Sequence, residues 1–269
     1  MKISVIVPLY YGEKYLNKLI SKFKTNESRL PAGYELQIIF VKDSMEDIDI
    51  QQYRDSELEI VFIQNKQNMG IHYSRTVGVK NATGEYIHML DQDDEITDDF
   101  YLSFIGKLEK ADVVVCNGIE QKDNYDKMLY RYYFMHYTVK FCYFYTKFSC
   151  RIISPGQCLI KKDSIPIEWM ENIIKNNGAD DAMLWMMMLY DKKVFALNRH
   201  VGYIHVNTGN NVSLDSHKMT NSLKEVRDIL KKNKMISKNN LKRLDAQLCS
   251  KKKSAIVLLI EKLNIKRGE

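Results

Sequence analysis

Apolar positions in the first half of the chain follow two alternating rhythms. Short apolar runs at Ile3–Leu9, Leu36–Val41, Glu59–Ile63, Glu85–Leu90 and Asp112–Cys116 have the length and β-branched content of buried strands. Between the first two, Leu16, Leu19, Ile20 and Phe23 recur at i, i+3, i+4 and i+7, the stripe of an amphipathic helix. A second helix is expected to begin near Gly70 and to end at Gly84, and a third to carry Phe100, Phe104 and Leu108. Strand–helix alternation of this kind predicts an α/β fold, a mostly parallel sheet flanked by helices on both faces.

From Tyr130 to Phe148 the rhythm dissolves into crowded Tyr, Phe and His. Core is the default expectation there, with a sugar-stacking platform or a lipid-facing surface as alternatives. Order returns with Ala182, Leu184, Trp185, Met188 and Leu189, a helix starting at an Asp pair, and with a short strand at Val194–Leu197. The run Met186-Met187-Met188 reads as core filling. After Lys218 the chain looks helical throughout. The expected division is one large α/β domain over 1–217, in two halves at 1–117 and 118–217, and a helical extension over 218–269.

Charge changes the picture of that extension. The net charge of +6 conceals fifteen Lys or Arg against five Asp or Glu from Lys218 onward, a balance of +10, so the first 217 residues carry −4. A basic tail suits an anionic membrane surface or nucleic acid, or is a set of solvated helix faces. It has no nucleic-acid motif and no interleaved aromatics, so no nucleic-acid partner is expected. Its last segment, Ser254–Leu263, is apolar between Lys251-Lys252-Lys253 and Lys266-Arg267, the composition of an interfacial anchor, although packing onto the main domain is the commoner fate. No stretch is long enough to span a bilayer, and Met1–Pro8 reads as a first strand rather than a signal peptide. Five cysteines without C-x-x-C spacing indicate neither a disulfide framework nor a zinc site. The expected location is cytoplasmic, with peripheral attachment at the inner membrane face as an extension of that reading.

Candidate chemistry is concentrated at Asp91-Gln92-Asp93-Asp94, directly after the strand Glu85–Leu90. Open α/β sheets bind ligands outside the carboxyl ends of their strands. Three carboxylates in four residues repel one another unless a cation joins them, and Mg²⁺ or Mn²⁺ with a ligand's phosphates would do so. A solvated acidic turn capping the next helix is the bland alternative. Further features stand in a fixed order around this cluster: Val7-Pro8-Leu9-Tyr10, Lys42-Asp43-Ser44-Met45, the segment from Asn68-Met69-Gly70 through Arg75-Thr76 and Gly78 to Gly84-Glu85-Tyr86, and Gly178-Ala179-Asp180-Asp181.

In that order the chain resembles a family 2 glycosyltransferase with the Rossmann-like GT-A fold. The resemblance is close from residue 3 to about 100, returns at 178–213 and is weak between. It implies an inverting enzyme that uses a nucleotide-diphosphate sugar, with UDP the expected nucleotide, and Mn²⁺ or Mg²⁺. The acceptor would be a hydroxyl of a glycan or lipid-linked oligosaccharide. Carried over by position, Pro8 and Tyr10 would flank the nucleobase, Asp43 would read base or ribose, and Arg75 would lie near the nucleotide. Asp91, with Gln92 beside it, would lie by ribose and diphosphate, and Asp93 would ligate the metal. Asp181 matches the general base, Asp180 the acid beside it, and His205 a histidine near diphosphate or metal. His88, inside a strand, is expected to be packing. The departures are Lys42 where the family has an acid, Thr76 for Asn and Asp180 for Glu. Two rival readings stand beside it. A sugar-phosphate nucleotidyltransferase lacks its glycine-rich loop here, since Pro8-Leu9-Tyr10-Tyr11-Gly12 has one glycine. A degenerate domain that binds nucleotide or membrane without turnover draws its support from Lys42.

Overall fold

The computed structural model describes residues 1–45, 47–53, 57–122, 125–147, 149–207 and 216–250. Its hub is β1 (Lys2–Leu9), parallel to β2 (Glu35–Lys42) on one side and to β4 (Tyr86–Met89) on the other; β2 carries β3 (Glu59–Gln64) in parallel at the edge. Ile3, Val5, Ile6, Val7 and Leu9 of β1 are all buried. A strand covered on both faces needs apolar residues at odd and even positions, which is why these runs are continuous rather than alternating.

Helix α1 (Glu13–Glu27) buries Leu16, Leu19, Ile20 and Phe23, the predicted stripe. Helix α2 (Ile71–Asn81) lies so close to β1 that a Cβ on Gly78 would come 2.2 Å from Cγ2 of Ile6. Gly78→Ala is therefore expected to push α2 off the sheet and cost about 1–3 kcal/mol, the usual penalty for overpacking. A denaturant titration checks this; an unchanged midpoint would mean that the contact has room to give.

The second half of the sheet is mixed. Strands β5 (Glu95–Ile96), β6 (Val113–Lys122), β7 (Tyr125–Met128), β8 (Cys158–Lys161) and β9 (Phe195–His205) complete the order β3-β2-β1-β4-β8-β6-β9-β5, with β7 paired to β6. The parallel expectation thus holds for the first four strands and for β6 with β9, while β8 runs antiparallel to both β4 and β6. Strand β8 follows the irregular aromatic segment rather than a crossover helix, so its connection imposes no parallel return. Strands β6 and β9 run well past their predicted ends. Register shifts around Asn117 and polar residues at Asn198–His200 mask the continuation.

Two other expectations need correction. The helix predicted over Phe100, Phe104 and Leu108 is a pair of single 3₁₀ turns, Leu102–Phe104 and Leu108–Lys110, separated by Gly106 at φ +79°. A left-handed residue between them ends the helical path, although all three side chains are buried as the periodicity implied. The aromatic segment forms two short helices, α3 (Tyr133–Tyr137) and α4 (Cys142–Tyr145), and only half of it is core. Tyr130, Met135, His136, Val139, Phe144 and Tyr145 are buried, whereas Tyr132, Tyr133, Phe134, Tyr137 and Phe141 are exposed.

Helix α5 (Ile167–Glu171) precedes α6 (Asp180–Tyr190), whose Met186, Met187 and Met188 fill the core as expected. Helices α7 (Ser216–Lys232) and α8 (Lys238–Ser250) pack on this body through Leu223, Val226, Leu230 and Leu244, and Ser222 Oγ accepts the Ala179 N–H at 3.1 Å. The helical expectation therefore holds to Ser250, and Ser254–Leu263 lies outside the described residues. No helix among the described residues is long and apolar enough to cross a membrane.

Candidate active site

The carboxyl ends of β1, β2 and β4 open into a cleft of about 800 Å³. Pro8 and Tyr10 reach it from β1, Asp43 from β2, Arg75 from α2, and Asp91, Gln92 and Asp93 from the turn after β4. Asp180 and Asp181 enter from the start of α6 and His205 from the end of β9. Every residue singled out in the sequence for donor, metal or base therefore lines one cavity.

Arg75 is the electrostatic centre. Buried on α2, it sends Nη2 to Asp91 Oδ1 at 2.5 Å and Nη1 to Asp180 Oδ2 at 2.7 Å, joining residues 16 and 105 positions away. Burial alone would lower its proton affinity, but Asp91 and Asp180 outweigh that and hold it protonated. Asp180 is its counterpart: burial would raise its pKa, yet Arg75, followed by His72, brings it below the usual carboxylate range. Asp180 is thus an ionised structural partner, fixed further by Trp169 Nε1 donating to its carbonyl at 2.8 Å.

Asp181, one residue on, has the opposite fate. Burial first, and the Asp180 charge second, push its carboxyl up to about 7. Its Oδ1 accepts the Ala182 N–H at 2.6 Å, and Cys150 Sγ lies 3.8 Å from Oδ2. Two adjacent carboxylates therefore divide into one held ionised by Arg75 and one whose carboxyl is pushed up toward neutrality. Environments that separate neighbouring pKa values in this way are suited to acid–base work.

At the other wall, Asp94 is buried and organises the residues around it. Its Oδ1 accepts from His205 Nδ1 and from the Val206 N–H, both at 3.1 Å, and Oδ2 accepts the Tyr203 hydroxyl. Burial pulls the His205 imidazole down, but the Asp94 hydrogen bond and charge prevail and the net shift is upward. Where Nδ1 donates to Asp94, Nε2 carries the lone pair of the neutral ring. A carboxylate-oriented imidazole lining the same cleft as Asp93 is of the donor types that suit a hard or borderline divalent cation. Among the described residues no three acidic, imidazole or thiol groups converge on one point.

The wall that carries Tyr10 and Asp43 is held by hydrogen bonds that the sequence did not announce. Gln92 clamps Tyr10 with both ends of its amide, accepting from the Tyr10 N–H at 2.9 Å and donating to its carbonyl at 3.1 Å. Asp43 accepts from Asn65 Nδ2 and from the N–H groups of Met69 and Gly70, all at 2.8 Å. It therefore anchors the loop that leads into α2 while lining the cleft. Lys42, the departure from the family pattern, is not part of the cleft wall among the described residues. His88 is packing, as expected: its Nε2 donates to Gly156 O at 2.8 Å and its Nδ1 accepts from Tyr101. Sequence reasoning missed Asp94 as an organiser, although it was the last letter of the quoted motif. It also missed Ser154, which donates to Asp91 Oδ2 at 3.3 Å, and Cys150; both sit in the stretch of weak resemblance.

Comparison with known proteins bears on this arrangement. The family model for glycosyl transferase family 2 matches residues 4–166. A glucosyl-dolichyl phosphate glucuronosyltransferase of Haloferax volcanii is 34% identical over 122 residues, 44% of this chain and 38% of that protein. The chain spans less than half the length of the curated relatives it matches. Among solved structures, S. aureus TarS in complex with UDP-GlcNAc superposes with a TM-score of 0.62 at 17% identity, covering 86% of this chain and 66% of that one. The mannosyltransferase PcManGT from Pyrobaculum calidifontis, in complex with GDP-Man and Mn²⁺, superposes at 0.60 with 14% identity, over 97% of this chain and 73% of its own. These likenesses establish the GT-A fold.

Proposed function

This chain belongs to glycosyl transferase family 2, and from that premise we propose an inverting transferase that moves a hexose or N-acetylhexosamine from a nucleotide-diphosphate sugar to an acceptor hydroxyl. The observation that carries the reading is the pairing, within one cleft, of a carboxyl pushed up to about 7 at Asp181 with the acidic turn Asp91–Asp93. An acceptor hydroxyl attacking an anomeric carbon must lose its proton as the bond forms. A carboxylate that titrates near neutral pH is well matched to take it. One base suffices for a single displacement from behind, which inverts the anomeric centre.

The remaining residues position the donor. Pro8 and the Gln92-clamped Tyr10 are assigned to the nucleobase, and Asp43 to base or ribose. Arg75 keeps Asp180 ionised and holds Asp91 in place. Asp93 and His205 would hold Mn²⁺ or Mg²⁺, which when bound neutralises charge developing on the leaving diphosphate. The complexes of structural neighbours with UDP-GlcNAc and GDP-Man support a nucleotide-sugar donor, UDP being the form proposed here. The dolichyl-phosphate substrate in the name of the Haloferax relative supports a lipid-linked acceptor, and with it a cytoplasmic enzyme working at the inner membrane face.

Anomeric NMR tests the reaction class. With UDP-sugars, Mn²⁺ and water as a surrogate acceptor, the first sugar released should have the configuration opposite to the donor's. Initial retention of configuration would exclude the single displacement.

A further inference from the structure

The exposed half of the aromatic segment belongs to none of the chemistry above. Tyr132, Tyr133, Phe134, Tyr137 and Phe141 are between 43% and 56% exposed, a concentration of apolar surface that a soluble body ordinarily avoids. Cations are interleaved with them. Arg131 lies 5.6 Å from the Tyr132 ring, Arg199 5.7 Å from Tyr133 and Lys140 5.0 Å from Tyr137. From Lys127 to Lys162 the chain has no Asp or Glu, and from Met128 to Lys147 no Asn or Gln either. A carbohydrate platform would be expected to set carboxylates or amides beside its rings to meet hydroxyls, and this segment offers none. Tyrosine and phenylalanine mixed with Arg and Lys are instead the composition of a surface that sits at lipid headgroup level.

We propose that α3 and the turn into α4 form a docking surface for an anionic membrane, the aromatic rings entering the interface and Arg131, Lys140 and Arg199 meeting lipid phosphates. The placement is continuous with other cations: α4 packs on α8, where Arg243 lies 5.4 Å from the Tyr143 ring and is exposed beside Lys242. The segment that carries it also leads toward the cleft. Helix α4 packs on α6, which carries Asp181 in its first turn, and Cys150, five residues beyond α4, is 3.8 Å from that carboxylate. This surface deepens the lipid-linked acceptor reading and rests on it for its purpose. The contact is thereby assigned to the folded body rather than to the basic tail alone.

Cosedimentation of the full chain with vesicles tests it, comparing phosphatidylcholine alone with phosphatidylcholine mixed with phosphatidylglycerol. The wild type should bind the mixed vesicles selectively, and Tyr133→Ser/Phe134→Ser/Tyr137→Ser should bind them at least ~10-fold more weakly, as expected when the inserted apolar area is removed. Arg131→Glu/Lys140→Glu should abolish the preference for phosphatidylglycerol. Unchanged unfolding midpoints would show that both variants fold. Wild-type binding in the triple variant, equal binding to neutral vesicles, or no vesicle binding by the wild type would each overturn the proposal. Retention of a soluble anionic glycan without vesicle binding would overturn it too. UDP-sugar binding, measured in parallel, separates this outcome from the fate of the transferase reading.

Discussion

Asp181→Asn is expected to lower transfer by about 10²–10⁴-fold, the range that a positioned general base contributes. The same change should stabilise the protein at alkaline pH. In the wild type the folded Asp181 carboxyl is pushed up to about 7, far above that of an unfolded aspartate. As pH rises from about 4 to about 7 the unfolded chain releases this proton first, so the folded state loses stability through that window. Asparagine does not titrate, and the variant should therefore gain on the wild type progressively up to about pH 7, by on the order of 2 kcal/mol after allowance for solvent screening. In the wild type kcat/KM should rise with pH about a midpoint near 7, since the base works only when ionised. Steady-state rates and chemical denaturation across pH check both halves. Full activity in Asp181→Asn, or an acid limb near pH 4, would remove Asp181 from the role.

Arg75→Met should be the most damaging single change to the fold of the cleft. It strands Asp180, which is buried, and leaves Asp91 without its 2.5 Å partner. Breaking a buried pair from one side typically costs about 3–5 kcal/mol, because the remaining charge stays desolvated. Asp180, now without the cation that keeps it ionised, should take up a proton, so the deficit should shrink on acidification. Arg75→Lys should recover only part of the loss, since a single ammonium cannot bridge two carboxylates with the fixed fork of a guanidinium. Denaturant titrations at neutral and acidic pH measure this. A loss below about 1 kcal/mol would mean that the ion-pair chain is solvated and dispensable.

The parallel half of the fold was legible because burial on both faces leaves continuous apolar runs, as in β1 and β2, and because the α1 stripe has a clean period. Asp43, Arg75, Asp91, Asp93, Asp180 and Asp181 stand out by motif order, and all of them line one cleft. Pairwise geometry was not legible. Nothing in the spacing says that Arg75 reaches residues 16 and 105 positions away, or that Asp180 and Asp181 acquire opposite pKa shifts. Those follow from α2 and α6 meeting across the sheet ends, a tertiary event. The second half was read least well because polar residues carry β6 and β9 past their apolar stretches. In the aromatic segment, the same residue types serve core and surface, and only the turns between α3 and α4 decide which ring faces where.

Calorimetric titration of the full chain with UDP-, GDP- and dTDP-sugars, with and without Mn²⁺, in wild type and Asp93→Ala, tests the proposed chemistry most directly. Saturable binding of one nucleotide class, strengthened by Mn²⁺ and lost in Asp93→Ala, is the predicted result. Failure of the folded wild type to bind any of the three, with or without the metal, would contradict it.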